Sequence, residues 1–337
     1  MRRVYLDNGA TAFPKAPGVG EAMADYIGRI GCNVGRGSYP GACAAGRTVL
    51  SVRERLNALV GGPGARNVVF TGGATHGLNL LLKGLLRPGD RVVTSPMEHN
   101  AVLRPLHALR KERKIILKQF SADLQDDAKT VSNFADAVGS RTSMAVVTHA
   151  SNVCGKILPV EQFRGSVRRK DLVIILDASQ TAGHFPIDIR QTGVDVICIP
   201  GHKGLYGPMG TGALIVNPDS RLLFRTFLEG GTGSESQKTE MPALLPDRLE
   251  AGTMNTPGYA GLAAALEELT WPREEDRLFR YLLGQMRGLD GIILHGAPKR
   301  DSDRYSPVLL FNRAGNDADA LCETLADRGF ALRAGLH

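Results

Sequence analysis

Two stretches decide the fold: Asp171-Leu-Val-Ile-Ile-Leu-Asp177-Ala-Ser-Gln180 and Val194-Asp-Val-Ile-Cys-Ile-Pro200-Gly-His-Lys203. Each opens as a short apolar run and ends on polar groups. Strands covered on both faces read as near-continuous apolar runs, whereas half-buried strands alternate. Both stretches therefore read as inner strands of a parallel sheet. Asp177, Gln180 and Lys203 then fall just past the C-terminal strand ends, where open α/β sheets bind ligands.

The same reading extends outward. Val68 to Phe70, Arg91 to Thr94, Lys114 to Phe120, Met144 to Thr148 and Ala213 to Val216 bring the strand candidates to seven. His76 to Leu86 and Val102 to Arg110 carry apolar residues at helical spacing between them, the signature of βαβ units. The expected fold is α/β, a mostly parallel seven-stranded sheet with helices on both faces. After Val216 a Gly-rich polar loop runs from Glu229 to Thr239, and helices are expected at Tyr259 to Leu269 and Asp317 to Arg328. The expected division is a large domain over 15–240 and a smaller, C-terminally incomplete α+β domain from 1–14 and 241–337.

The 337 residues suffice for two such domains, and 43 % hydrophobic with 22 % charged residues is ordinary for a globular chain. No apolar stretch reaches the roughly 18 residues of a membrane span, and the N-terminus has no signal-peptide core. A cytoplasmic protein without a membrane partner is expected. The net charge of +7 is scattered, which argues for anionic small molecules or an acidic partner rather than nucleic acid. Cys32, Cys43, Cys154, Cys198 and Cys322 show no metal-type or disulfide-type spacing, so no metal is expected and each reads as a small buried hydrophobe.

Several polar residues share the strand-end placement. Lys203 reads either as a Schiff-base nucleophile or as a solvated loop lysine. Asp177, after five apolar residues, is costly without a partner; a protonated pyridine nitrogen is one candidate, capping of the residues from Ala178 onward the other. Gln180 reads as a cofactor contact or as an ordinary helix residue. Thr71-Gly-Gly-Ala74-Thr75-His links a strand to a helix, and such a helix start offers N–H groups and positive dipole to a phosphate. In Glu98-His99-Asn100, an imidazole could lie on a flat ring and move protons, or sit on the surface. Asn152 follows another strand end.

Together these motifs resemble the class V aminotransferase superfamily, in its cysteine desulfurase and selenocysteine lyase branch, from Tyr5-Leu-Asp-Asn-Gly-Ala-Thr11 to the last residue. The branch pattern Asp-x-x-Gln matches Asp177 and Gln180, Gly-His-Lys matches Gly201 to Lys203, and the Glu-His pair matches Glu98 and His99. The resemblance implies the fold type I of pyridoxal-phosphate (PLP) transferases. By it, Lys203 bonds the cofactor, Asp177 pairs with the pyridine nitrogen, Gln180 meets the phenolic oxygen and His99 stacks on the ring. Ala74, Thr75 and His202 would hold the phosphate, with Thr253 of Glu250-Ala-Gly-Thr253 reaching across a homodimer. Asn152 and Arg333 would face the substrate, L-cysteine or selenocysteine, giving alanine and enzyme-bound sulfur for a possible acceptor protein.

Two departures from the pattern stand out. Pro200 replaces a serine before Gly-His-Lys, which removes a hydroxyl from the phosphate cradle. In addition, Arg333-Ala-Gly-Leu-His337 matches the loop that in this family leads directly into the catalytic cysteine, so sulfur transfer is expected to be defective in the chain as given. A UGA codon after His337, read as selenocysteine, is one expectation for that position; a truncation or a degenerate gene is the other. A different class V reaction, transamination or β-elimination, and an inactive cofactor-binding scaffold are the alternative functions.

Overall fold

The computed structural model describes residues 3–35, 37–220, 222–270, 274–300 and 303–335. In chain order the elements are β1 (Val4–Tyr5), α1 (Val19–Asp25), α2 (Pro40–Leu59), β2 (Val68–Thr71), α3 (Ala74–Leu85), β3 (Arg91–Thr94), α4 (Asn100–Arg113) and β4 (Ile116–Gln119). There follow α5 (Asp127–Ala137), β5 (Thr142–Thr148), α6 (Val160–Ser166), β6 (Val173–Asp177), α7 (Ile189–Thr192), β7 (Val196–Pro200) and β8 (Gly212–Val216). The remainder comprises α8 (Thr256–Glu267), α9 (Glu274–Arg287), β9 (Ile292–His295), β10 (Leu310–Arg313), α10 (Ala318–Asp327) and β11 (Phe330–Ala331).

The seven expected strands form one sheet in the order β2-β8-β7-β6-β5-β3-β4. Parallel pairing runs from β7 through β6, β5 and β3 to β4, while β8 is antiparallel to both of its neighbours. The apolar runs are continuous because each face has its own cover. Ile174 and Leu176 of β6 pack into a core shared with α2, α5, α6 and α8. Ile175 points the other way, into a core with Leu78, Leu81 and Leu82 of α3 and Leu106 and Leu109 of α4. Side chains alternate along a strand, so Asp177 emerges on the α3/α4 side, as does its register partner Cys198.

Helices begin earlier than the apolar spacing suggests, because their caps precede the periodic residues. Gly73, at φ 132°, ends β2's exit turn and lets α3 start at Ala74, so that Thr75 stands in the first turn rather than in a loop before His76. His99 caps α4, which starts at Asn100. Residues 229–239 form the expected long loop without helix or strand. Tyr259, Leu262 and Leu266 of α8 join the core beneath the sheet, and the Tyr259 hydroxyl donates to the carbonyls of Thr71 and Gly212. The reading of all five cysteines as buried needs correction: Cys198 is buried, Cys43 is exposed, and the other three are intermediate. Cys43 stands in the first turn of α2, on the exposed side of the helix, next to the buried Ala42.

Candidate active site

The C-terminal ends of β3, β5, β6 and β7 converge with the N-termini of α3 and α4. Asp177 is 2 % exposed. One carboxylate oxygen, Oδ1, accepts from the Ser179 backbone N–H at 3.0 Å and from its hydroxyl. Capping is therefore one of its tasks. It leaves a buried negative charge that forms no ion pair among the described residues. A buried carboxylate in that state calls for a cationic partner.

Lys203 follows β7 in a turn closed by the Tyr206 N–H donating to the Lys203 carbonyl at 2.8 Å. Burial pushes its amine below the usual lysine range; Asp177 opposes that shift, and the charge of Arg333 adds to it. The reading of Lys203 as a fully solvated loop lysine does not hold, because the residue is only partly exposed and burial acts on its amine. A lysine so placed keeps a larger share of neutral, nucleophilic amine at neutral pH.

His99 is fixed by its own helix. Its Nδ1 accepts from the Ala101 N–H at 3.0 Å, which puts the proton of the neutral ring on Nε2. Burial, with Lys203 second, lowers its pKa, so the ring is neutral at neutral pH. Behind it lies Glu98, whose Oε1 accepts from the Ser95 hydroxyl at 2.6 Å and the Thr148 N–H at 2.8 Å. Gln180 gives an amide proton to the Gly9 carbonyl at 3.0 Å, and the Ser306 hydroxyl donates to the Gln180 carbonyl.

At the phosphate side, α3 has no side-chain cap at its N-terminus, so its first N–H groups, including those of Ala74 and Thr75, face outward with the positive end of the helix dipole. His202 lies opposite, with Nδ1 3.1 Å from the Thr11 hydroxyl, while Lys15 donates to that hydroxyl and to the His202 carbonyl. Burial lowers the His202 pKa to about 4, helped by Lys203 and Lys15. A cavity of about 350 Å³ opens between α3 and α4, bounded by Thr75, Asn79, His99 and Arg104.

The remaining candidates surround this floor. Asn152 is half-buried in a turn that the Ser151 hydroxyl holds by accepting from the Val153 and Cys154 N–H groups. Arg333 makes a two-pronged contact with Asp7, at 3.2 and 3.0 Å, just past the parallel β1–β11 pair. Leu336 and His337, the end of the loop read from the sequence, lie outside the described residues. Thr253 is exposed. Its segment is anchored by Glu250, which takes both Arg53 Nη groups at 2.8 and 2.6 Å and the Phe70 N–H, while Arg53 lies over the Phe70 ring at 4.1 Å.

Sequence reasoning missed Thr11, Lys15, Ser179 and Asp7 as parts of the site. Ser179 carried a local signal, since Asp-x-Ser suits a side-chain-capped turn. Thr11 and His202 lie 191 residues apart, a pairing that no local pattern reveals.

The family model for aminotransferase class-V matches residues 4–337. A probable cysteine desulfurase of Methanothermobacter thermautotrophicus is 29 % identical over 99 % of this chain and 84 % of its own length. The cysteine desulfurase of Serratia proteamaculans is 28 % identical over 99 % of this chain and 83 % of its own. Among solved structures, the apo cysteine desulfurase of Thermococcus onnurineus superposes with a TM-score of 0.88 at 27 % identity, covering 99 % of this chain and 84 % of that one. The Escherichia coli desulfurase CsdA gives 0.84 at 27 % identity, again over 99 % and 84 %. The match spans nearly the whole chain and includes every strand end that builds the site: the chain belongs to the class-V aminotransferase family.

Proposed function

We propose that the protein is a PLP-dependent enzyme of the cysteine desulfurase kind, acting on L-cysteine or a related amino acid. One observation carries this reading: a buried Asp177 carboxylate with no ion pair among the described residues faces a lysine whose amine is held toward its neutral form. The residues present fit the cofactor. Asp177 would pair with the pyridinium, Lys203 would hold the ring covalently, Gln180 would meet the phenolic oxygen, and the α3 N-terminus with Thr75 and His202 would take the phosphate. When bound, PLP supplies an electron sink for charge developing at the substrate α-carbon.

The chain's own groups do the rest. Lys203, as free amine, can take a proton near that carbon and return it. His99 offers the proton on Nε2, since its Nδ1 lone pair is committed to Ala101. Arg333 presents a guanidinium toward an incoming carboxylate while Asp7 holds its plane. Asn152 would line the substrate side. The exposure of Thr253, beside an anchored Glu250, supports a homodimer in which each Thr253 completes the partner's phosphate site. Among the described residues no helix is long and apolar enough to cross a membrane. All five cysteines are unpaired, as thiols remain in a reducing compartment, which supports a cytoplasmic setting.

The test is product analysis with PLP-loaded protein, L-cysteine or L-selenocysteine, and an added small-molecule thiol whose sulfur bonds the departing sulfur or selenium as the bond to the substrate β-carbon breaks. Alanine as the organic product is the expected result; pyruvate would point to a β-lyase and a new amino acid formed from an added oxo acid to a transaminase. No alanine, pyruvate or new amino acid above a protein-free control would leave the scaffold reading.

A further inference from the structure

Glu98 is the one site carboxyl to which the reading above gives no task. It is 7 % exposed and lies between the loop that carries His99 and the strand edge next to Asp177. Its Oε1 receives two neutral donors, the Ser95 hydroxyl and the Thr148 N–H. Its Oε2 is buried with no hydrogen-bond partner among the described residues. No basic side chain among the described residues bonds to it; the charged group that acts on it is Asp177 of β6, and its sign is unfavourable. A carboxylate in such surroundings would stand desolvated and unpaired beside a second carboxylate. A carboxylic acid fits them, with its carbonyl oxygen accepting both bonds. Burial, with Asp177 adding to it, accordingly pushes the Glu98 pKa up to about 8.

The bonds also say what the group holds together. The Ser95 hydroxyl accepts from the Met97 N–H, which closes the turn leading to His99. Thr148 is the register partner of Asp177, and the next N–H, that of His149, donates to the Asp177 carbonyl at 2.8 Å. We propose that Glu98 is a positioning residue: as an uncharged acid it ties the turn before His99 to the strand edge beside Asp177, so that these two groups keep one spacing.

The inference rests on the reading of the site as a PLP site, but its test has a part that does not. In cofactor-free full-length protein, thermal unfolding is followed against pH for the wild type and Glu98→Gln, which keeps the carbonyl acceptor and cannot ionise. At acid pH, folded and unfolded chains both hold the Glu98 proton. Between the ordinary carboxylate range and about pH 8 the folded chain alone holds it, so its contribution is lost progressively as the pH rises and is level above that. Relative to Glu98→Gln, the wild type is therefore expected to lose stability across this window. A difference independent of pH overturns the uncharged acid, whatever the function proves to be.

Positioning is read from PLP affinity and the visible spectrum of the loaded protein. Glu98→Gln should bind PLP at neutral pH within about threefold of wild type, and Glu98→Ala, which leaves both donors unpaired, at least about fivefold more weakly with a displaced visible band. Equal weakening in both variants, or none in Glu98→Ala, overturns the positioning role. Should Glu98→Ala not fold, Glu98→Asp, too short to reach both donors, takes its place with the same expectation.

Discussion

The floor of the site and its mouth are built by different means. The floor, from Asp177 and Glu98 to the Arg53–Glu250 support, is largely buried, and its polar groups are tied both to the turns beside them, Ser179 and Ser95, and to distant elements, Thr148 of β5 and Arg53 of α2. The mouth, with Thr75, Asn152, Arg333 and Thr253, is half-buried or exposed, and its clearest tie is the Arg333–Asp7 pair, in which the guanidinium side is 53 % exposed. Charges removed from water act strongly and punish errors, while exposed ones are screened and adjustable. On the function proposed above, chemistry that needs fixed charge falls to the floor, and recognition of a substrate that must enter and leave falls to Asn152 and Arg333 at the mouth.

The largest effect is expected at the support under the floor. Arg53→Ala leaves Glu250 buried without its cation and strips the cover from Phe70, so unfolding in denaturant should show a loss of about 3–5 kcal/mol. A loss below about 1 kcal/mol would mean that this pair behaves like one at the surface. Next comes Asp177→Asn. With no ion pair among the described residues, the buried carboxylate adds little to stability, so the unfolding midpoint of cofactor-free protein should stay or rise. PLP affinity should fall by about 2–5 kcal/mol, roughly thirtyfold or more, because the pyridinium loses its buried partner. The smallest effect belongs to the mouth: Asp7→Ala should change stability by about 0–1 kcal/mol, with added salt abolishing the difference. In substrate kinetics it should act on KM more than on kcat, since Arg333 loses its orientation and keeps its charge. A change in kcat alone would move Arg333 from recognition to the chemical step.

The same contrast governs what could be read from the sequence. All seven strands were legible, because the double-faced sheet writes continuous apolar runs, and Asp177 and Lys203 stood out as polar groups that terminate such runs. α3 starts two residues ahead of the expected His76, since Gly73 acts as a cap that apolar periodicity does not register, whereas Glu98 to Ala101 did mark the start of α4. The task of Glu98 was hidden because its partner Thr148 lies 50 residues away, and the tie between Arg333 and Asp7 spans 326. Parity along β6 gave no hint that Asp177 shares the α3/α4 face until helices could be assigned to faces.

Lys203 is proposed to hold PLP covalently over the Asp177 floor. Reduction of the loaded protein with borohydride, followed by digestion and mass spectrometry, tests it directly. The predicted result is the mass of reduced pyridoxyl phosphate on the peptide containing Lys203, absent in Lys203→Ala, which should still bind PLP reversibly through the α3 N-terminus and Asp177. Label on a different lysine, or equal label in Lys203→Ala, would contradict it.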